Sequence, residues 1–525
     1  MNLKGNNDAK LQKILNWWQN NKMIIIVTIF WGLIVHFCLY SNILRSPDSL
    51  WNSGIYEASF WELSLGRWLP QIIDKLQFGT IFPFWSVFLT LCVYSVGNIF
   101  FINLFAIDNL MVKTIVSCLV ISNPFIGMSL QYYYSNDTYA LAYLLSVLSI
   151  YMIKNNKNQI QNYIYSIIFI VMSLALYQSF LGVVTTAALF CILQELFDDK
   201  KKIIDYRIIY TCFGKYIIVL FGGVGIYYVI LKILLWSNGI SLSSYKGADN
   251  VSVISVISRF PERIFQCYRD FFEYYFGTEI ARNAYLINLI QLVTIIMLVF
   301  IITKRVISIG KYKGTLVIIL LLIVPIACNI INVFATETKI YLLTIGGMLV
   351  FIPGMVLLNF VYLKQIGHNT IYILCVITIY LFVLQNNANY MSILGATKQA
   401  SSLVNRIWMR VESLDIYKPD MKVMIVGNPN QNKIYSNVSD YTQYADWYAR
   451  VGLFWSTWDG STNCWTHLIK NELGIDIVSC SEKEYQSIIS SVFFEDIPTY
   501  PNSKSIFIKD DILVVKIADV LSERK

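Results

Sequence analysis

About eleven apolar runs of helical length, separated by loops that are lysine-rich at every second turn, leave this chain few folds to choose from. A run of about 20 apolar residues satisfies its backbone in lipid only by coiling into a helix. The runs fall at 23–40, 82–105, 110–130 and 137–153, then as a tight pair within 163–196 around Tyr177-Gln178-Ser179. A seventh ends at Trp236, and the rest lie at 284–303, 316–333, 340–360 and 371–385. Lys4, Lys10, Lys13 and Lys22 precede the first run; Lys154/Lys157, Lys200 to Lys202, and Lys304-Arg305 with Lys311/Lys313 mark later loops. Because cytoplasmic loops hold the excess of lysine and arginine, the N-terminus is expected inside. Loops 41–81, 122–136, 237–283 and 335–339, and the C-terminal tail, are then expected outside.

Composition agrees. With 56% hydrophobic residues, 14% charged residues and a mean hydropathy of +0.54, the chain has more apolar surface than a soluble core of this size can bury. The 15% aromatic content fits interfacial belts and a cavity lined for a greasy or sugar ligand. The net charge of +8 resides mainly in the short inner loops, so it carries no argument for nucleic acid. The first run follows about twenty polar residues and has no small-residue cleavage site, so no cleavable signal peptide is expected.

The chain divides into a cytoplasmic segment 1–22, a transmembrane part 23–386, an amphipathic connector 387–418 and a small α/β domain 419–525. The connector shows in Ala400, Leu403, Val404, Ile407, Trp408, Val411 and Leu414, which recur at helical spacing. Beyond Pro419, residues 422–427 read as an apolar strand, Ser481 and Glu484 as a capping box, and 505–509 with 512–517 as a hairpin around Asp510-Asp511. Of ten cysteines, Cys464 and Cys480 are the only pair in the tail. A disulfide between them is expected in an oxidising compartment, with buried free thiols the other reading.

No CxxC, HExxH or histidine cluster is present among three histidines, and no nucleotide fingerprint, so neither a transition-metal site nor a cofactor is expected. What remains for chemistry is a set of ionisable residues on the outer loops. Asp48 and Arg67 stand out because they share a stretch with Trp51, Trp61 and Trp68 that is too polar to span and too apolar to float free. Asp137 is a second candidate carboxylate, although Ser135-Asn136-Asp137 also suits a helix cap. Tyr177-Gln178 lies between two spans, and a bond between helices is an equal reading for it. Lys246, Arg259, Arg263, Glu337 and Lys339 complete the candidate ligand-binding set.

In order along the chain, Asp48, Leu65-Gly66-Arg67-Trp68-Leu69, Asn123-Pro124, Ser135-Asn136-Asp137-Thr138-Tyr139 and Leu176-Tyr177-Gln178-Ser179-Phe180-Leu181 resemble the GtrII family of membrane glucosyltransferases. Ile497-Pro498-Thr499-Tyr500-Pro501 with 512–516 resembles the ending of its longer bacterial members. Two departures stand out: the family's paired acids of the first outer loop are here Asp48 followed by Ser49, and a late arginine is replaced by Lys339 after Glu337. The resemblance implies a GT-C-like polytopic helical protein of the bacterial cytoplasmic membrane with an extracytoplasmic α/β tail. It implies transfer of a hexose, commonly glucose, from a polyprenyl-phosphate carrier such as undecaprenyl phosphate to a surface glycan such as O-antigen. Asp48 would be the general base, and Arg67 a phosphate or structural partner, with Lys246, Arg259 and Arg263 further candidates for the lipid phosphate. Trp68 would stack on sugar or anchor the loop. The family also implies association with a small flippase and a donor-forming glycosyltransferase. A transporter or flippase for lipid-linked sugars is the competing reading, but it should show an internal repeat, and none is visible.

The lysine pattern makes one direct prediction. In intact cells a membrane-impermeant thiol reagent should label a cysteine placed at Gln431 and leave one at Asn156 unlabelled; the opposite result would invert the topology.

Overall fold

The computed structural model describes residues 3–154, 159–197, 206–245, 258–277, 285–308, 311–334, 346–362, 368–432, 434–435, 440–455 and 457–519. It is mostly helical. Five helices are long and apolar enough to cross a membrane by length and composition: Leu15–Val35, Pro83–Asn103, Gln178–Phe197, Phe213–Ser237 and His368–Glu412. Five shorter apolar helices accompany them, Leu110–Ser122, Ile160–Leu176, Leu289–Phe300, Lys313–Cys328 and Met348–Val361. Together these mark the chain as a membrane protein. It forms two compact units, one of Met1–Phe37, Tyr56–Ile280 and Ala284–Asn386, the other of Cys38–Ile55, Ala281–Asn283 and Asn387–Lys525.

In the first unit, helix Asn136–Lys154 carries several polar residues and has much of its length buried. Several of them meet neighbouring helices. Asn136 Oδ1 accepts from Ser86 and Thr90, and the Tyr143 hydroxyl donates to Asn98 Oδ1. Ser146 Oγ lies 2.8 Å from Ser173 Oγ, and Ser166 donates to the Ser149 carbonyl. Lipid supplies little apolar attraction between helices, so small polar residues of this kind select which helices meet. Helix Leu3–Val35 is tied to Leu110–Ser122 by Trp31 donating to Ser122 Oγ and by His36 Nε2 at 3.0 Å from the Ile121 carbonyl.

Between the apolar runs, three short helices, Phe60–Ser64, Pro70–Leu76 and Pro124–Ser129, shape the ends of the bundle. The pair expected around Tyr177-Gln178-Ser179 is two helices, Gln159–Leu176 and Leu181–Phe197. The chain is extended at Tyr177 and makes one short 3-10 turn, Gln178–Phe180.

The second unit is built on a four-stranded sheet. Lys422–Val426 pairs in parallel with Val478–Ser479 on one side and Ile512–Lys516 on the other, and Ile506–Lys509 closes an antiparallel hairpin. Asp510 and Asp511 both take left-handed φ values, 53° and 58°, as a two-residue turn between right-twisted strands requires. Residues alternate between two cores. Val423, Ile425, Leu513 and Val515 face Leu403, Val404, Ile407, Trp408 and Trp465; Met424, Val426, Ile512 and Val514 face Tyr485, Ile488 and Phe494. The helical face read in the sequence from Ala400 to Val411 is buried in the first of these cores. The helix that carries this face continues from the last apolar run: His368–Glu412 is one helix of 45 residues. Ser481 and Glu484 form the capping box of helix Glu482–Ile489.

The expected Cys464–Cys480 disulfide is corrected here, since both are free, buried thiols. Cys464 belongs to the first core and Cys480 to the second, on opposite faces of the sheet. No bond of about 2 Å can join them through it. Burial pushes the Cys464 thiol up to about 12 and that of Cys480 up to about 11, which keeps both protonated and inert. Peptide mapping of unfolded, unreduced protein should therefore recover both positions alkylated; a cross-linked 464–480 peptide would contradict this arrangement.

Candidate active site

Arg67 sits in a turn that its neighbours hold closely. Helix Phe60–Ser64 opens with a capping box in which Glu62 Oε2 accepts from the Ser59 amide, and Glu62 Oε1 accepts from the Tyr56 hydroxyl at 2.5 Å. Glu62 is thereby a helix cap. The chain leaves this helix through Gly66, whose φ of +84° is the left-handed region that glycine enters without cost. Arg67 follows, its amide donating to the Glu62 carbonyl, and Leu69 N donates to the Ala175 carbonyl.

The Arg67 guanidinium lies over the Tyr177 ring, 4.4 Å from its centroid. Tyr177 in turn meets Tyr139 edge-on at 4.9 Å. Tyr139 packs against Tyr132, Tyr132 against Tyr134, and Tyr134 against Tyr56. The Arg67 turn, the break between helices at 177 and the start of helix Asn136–Lys154 thus meet in one tyrosine-lined place. Among the described residues no carboxylate pairs with Arg67, and its Nε and the adjacent Trp68 Nε1 are buried donors without a hydrogen-bond partner. Unpaired buried donors on a cation are costly unless something fills them, and an anion with several oxygens is what suits them.

Asp137 and Asp74 are among the carboxylates of the same unit. Asp137, in the first turn of its helix, accepts from Gln77 Nε2 at 2.5 Å, and its Oδ1 accepts from the Thr138 amide. Asp74, on helix Pro70–Leu76, is only 6% exposed and accepts from the Ala58 amide at 2.7 Å. Burial, and then the charges of Asp137, Glu62 and Glu57, push Asp74 up to about 7 against the pull of that amide. The sequence reading missed Asp74, because a loop acid at 74 looks no different from Glu57; its burial comes from folding.

Of the remaining candidates, Gln178 lies at the Arg67 turn. Asp48 belongs to the second unit, on helix Pro47–Trp51 capped by Ser46, and its Oδ1 accepts from the Trp455 indole at 2.9 Å. Gln178 donates to the Leu65 carbonyl and to the Tyr227 hydroxyl, which is the bond between elements that the sequence left open. Arg263, on helix Phe260–Phe276, is 4% exposed and bonds Gln266 Oε1; Arg259 is exposed just before that helix. Nearby Asp270 is held by Arg269 and by Asn332 Nδ2 at 2.8 Å. Lys246, Glu337 and Lys339 lie outside the described residues.

Asp74 gives a pH prediction. Its native carboxyl is protonated more readily than the unfolded one. The stability it contributes is therefore fully present below about pH 4 and is lost as pH rises toward 7. Asp74→Asn keeps an acceptor for the Ala58 amide without the charge. Its Tm relative to wild type should climb between pH 4 and 7 and level off near pH 8; a pH-independent difference would mean that Asp74 is solvated.

One family model matches the chain: glucosyl transferase GtrII, over residues 52–353. No curated protein and no solved structure matches it.

Proposed function

The chain belongs to the GtrII glucosyl transferase family, and on that premise we propose that it moves glucose from a polyprenyl-phosphate carrier to a surface glycan at the outer face of the membrane. The observation that carries the reading is the Arg67 guanidinium, packed on Tyr177 and without a carboxylate partner among the described residues, beside the unpartnered indole N–H of Trp68. A sugar phosphodiester brings the anion such donors need, and its lipid tail accounts for a site at the end of apolar helices.

In the proposed reaction the acceptor hydroxyl oxygen bonds to the anomeric carbon as the bond from that carbon to phosphate oxygen breaks. The hydroxyl proton passes to a carboxylate, and the electron pair leaves with the polyprenyl phosphate. Arg67 stabilises the charge gathering on that phosphate. Guanidinium does this well because two parallel N–H donors match two phosphate oxygens. Asp48 is the proposed general base, and the Trp455 indole N–H orients its Oδ1. Asp137 is the second carboxylate in line for the role. The outer-face placement rests on the lysine-rich alternate loops.

The test is transfer from polyprenyl-phosphate glucose to acceptor glycan by the purified protein in detergent. Asp48→Asn, which keeps the shape but accepts no proton at neutral pH, should lose on the order of 10²–10⁴ in rate with donor affinity unchanged. Arg67→Ala should weaken donor binding as well as turnover. Full activity of Asp48→Asn would pass the base role to Asp137, and unchanged donor kinetics in Arg67→Ala would remove the phosphate role.

A further inference from the structure

Tyr227 is a tyrosine in the apolar helix Tyr206–Ser237, far along the chain from the Arg67 turn. Its hydroxyl nevertheless donates to the Gly66 carbonyl at 2.9 Å and accepts from Gln178 Nε2, also at 2.9 Å. The same Gln178 amide donates to the Leu65 carbonyl at 2.7 Å. Two successive carbonyls, immediately before Arg67, are therefore held from outside their own segment by two side chains that also hold each other. The fit leaves no slack. A Cβ at residue 66 would come within 2.5 Å of the Tyr227 hydroxyl and 2.7 Å of Gln178 Nε2, in addition to the strain of φ +84°.

The geometry points to Gln178 and Tyr227 as positioning residues, a clasp that fixes the Leu65-Gly66 turn so that the Arg67 guanidinium is delivered at one height above Tyr177. Neither touches the reacting atoms. Tyr177, whose ring supports the guanidinium, and Gln178, whose amide supports the main chain before it, are consecutive, so a single break between helices supports Arg67 at both its ends. A flexible side chain on a fixed turn loses less freedom on meeting its ligand than one on a loose loop, and misplacement by about 1 Å is enough to cost transfer rate. The inference rests on the reading of Arg67 as phosphate partner.

The experiment is a double-mutant cycle on the full-length protein in detergent, with kcat and KM for polyprenyl-phosphate glucose as the readout. Tyr227→Phe removes one hydroxyl and keeps the ring. With Arg67 present it should lower kcat/KM about five- to tenfold, the value of one hydrogen bond, at a Tm within about 2 °C of wild type. In the Arg67→Ala background the same change should cost less than twofold, because the clasp then has nothing to position. Gly66→Ala should mimic the loss with Arg67 present and likewise fade without it. Equal losses in both backgrounds, or no loss with Arg67 present, would overturn the clasp. Wild-type donor kinetics in Arg67→Ala alone would instead overturn the phosphate reading, whatever Tyr227→Phe does.

Discussion

Side-chain hydrogen bonds between helices are the constraint on which the first unit depends. In lipid, apolar side chains gain nothing by leaving one apolar surface for another, so the hydrophobic effect that assembles soluble cores does not choose helix partners. Asn136 and Tyr143 make that choice toward Pro83–Asn103, and Ser146, with Ser166 on the Ser149 carbonyl, toward Gln159–Leu176. The arrangement also accounts for the polar residues of this helix: a helix with much of its surface against protein can carry polar groups that lipid would penalise. Its first turn then lies where Asp137 and Tyr139 contribute to the candidate site.

A second constraint acts at Arg67, whose main chain is held on several sides. A short capped helix, a left-handed glycine and the break at Tyr177 each serve Arg67, and none would be arranged in this way for a solvated loop arginine. Asp74 shows the opposite case. Its carboxyl is buried among other acids with one amide donor, so it behaves as a near-neutral group that holds the chain at Ala58.

What could be read in the sequence is what hydropathy and local turn chemistry encode. The apolar runs are legible because about 20 consecutive residues agree, and the hairpin at Asp510-Asp511 and the box at Ser481 because their signals lie within a few residues. Arg67 is noticeable because it lies among tryptophans in a stretch too polar to span and too apolar to float free. Tyr227 is not: it is one of 35 tyrosines, and what distinguishes it is a bond across 161 positions. Hydropathy divides the 45-residue helix into an apolar span and an amphipathic face because it changes midway, although the backbone does not. The cysteine pairing failed on parity. A face of a sheet cannot be assigned from the count of cysteines in a tail, and Cys464 and Cys480 fall on opposite ones.

That failure has a consequence for how the protein is made. Among the described residues every cysteine is a free thiol, so the second unit reaches its fold by burying Trp465, Leu513 and their neighbours, with no covalent closure. Its packing then does not rest on a Cys464–Cys480 bond, and reductant in the surroundings takes no such bond from it.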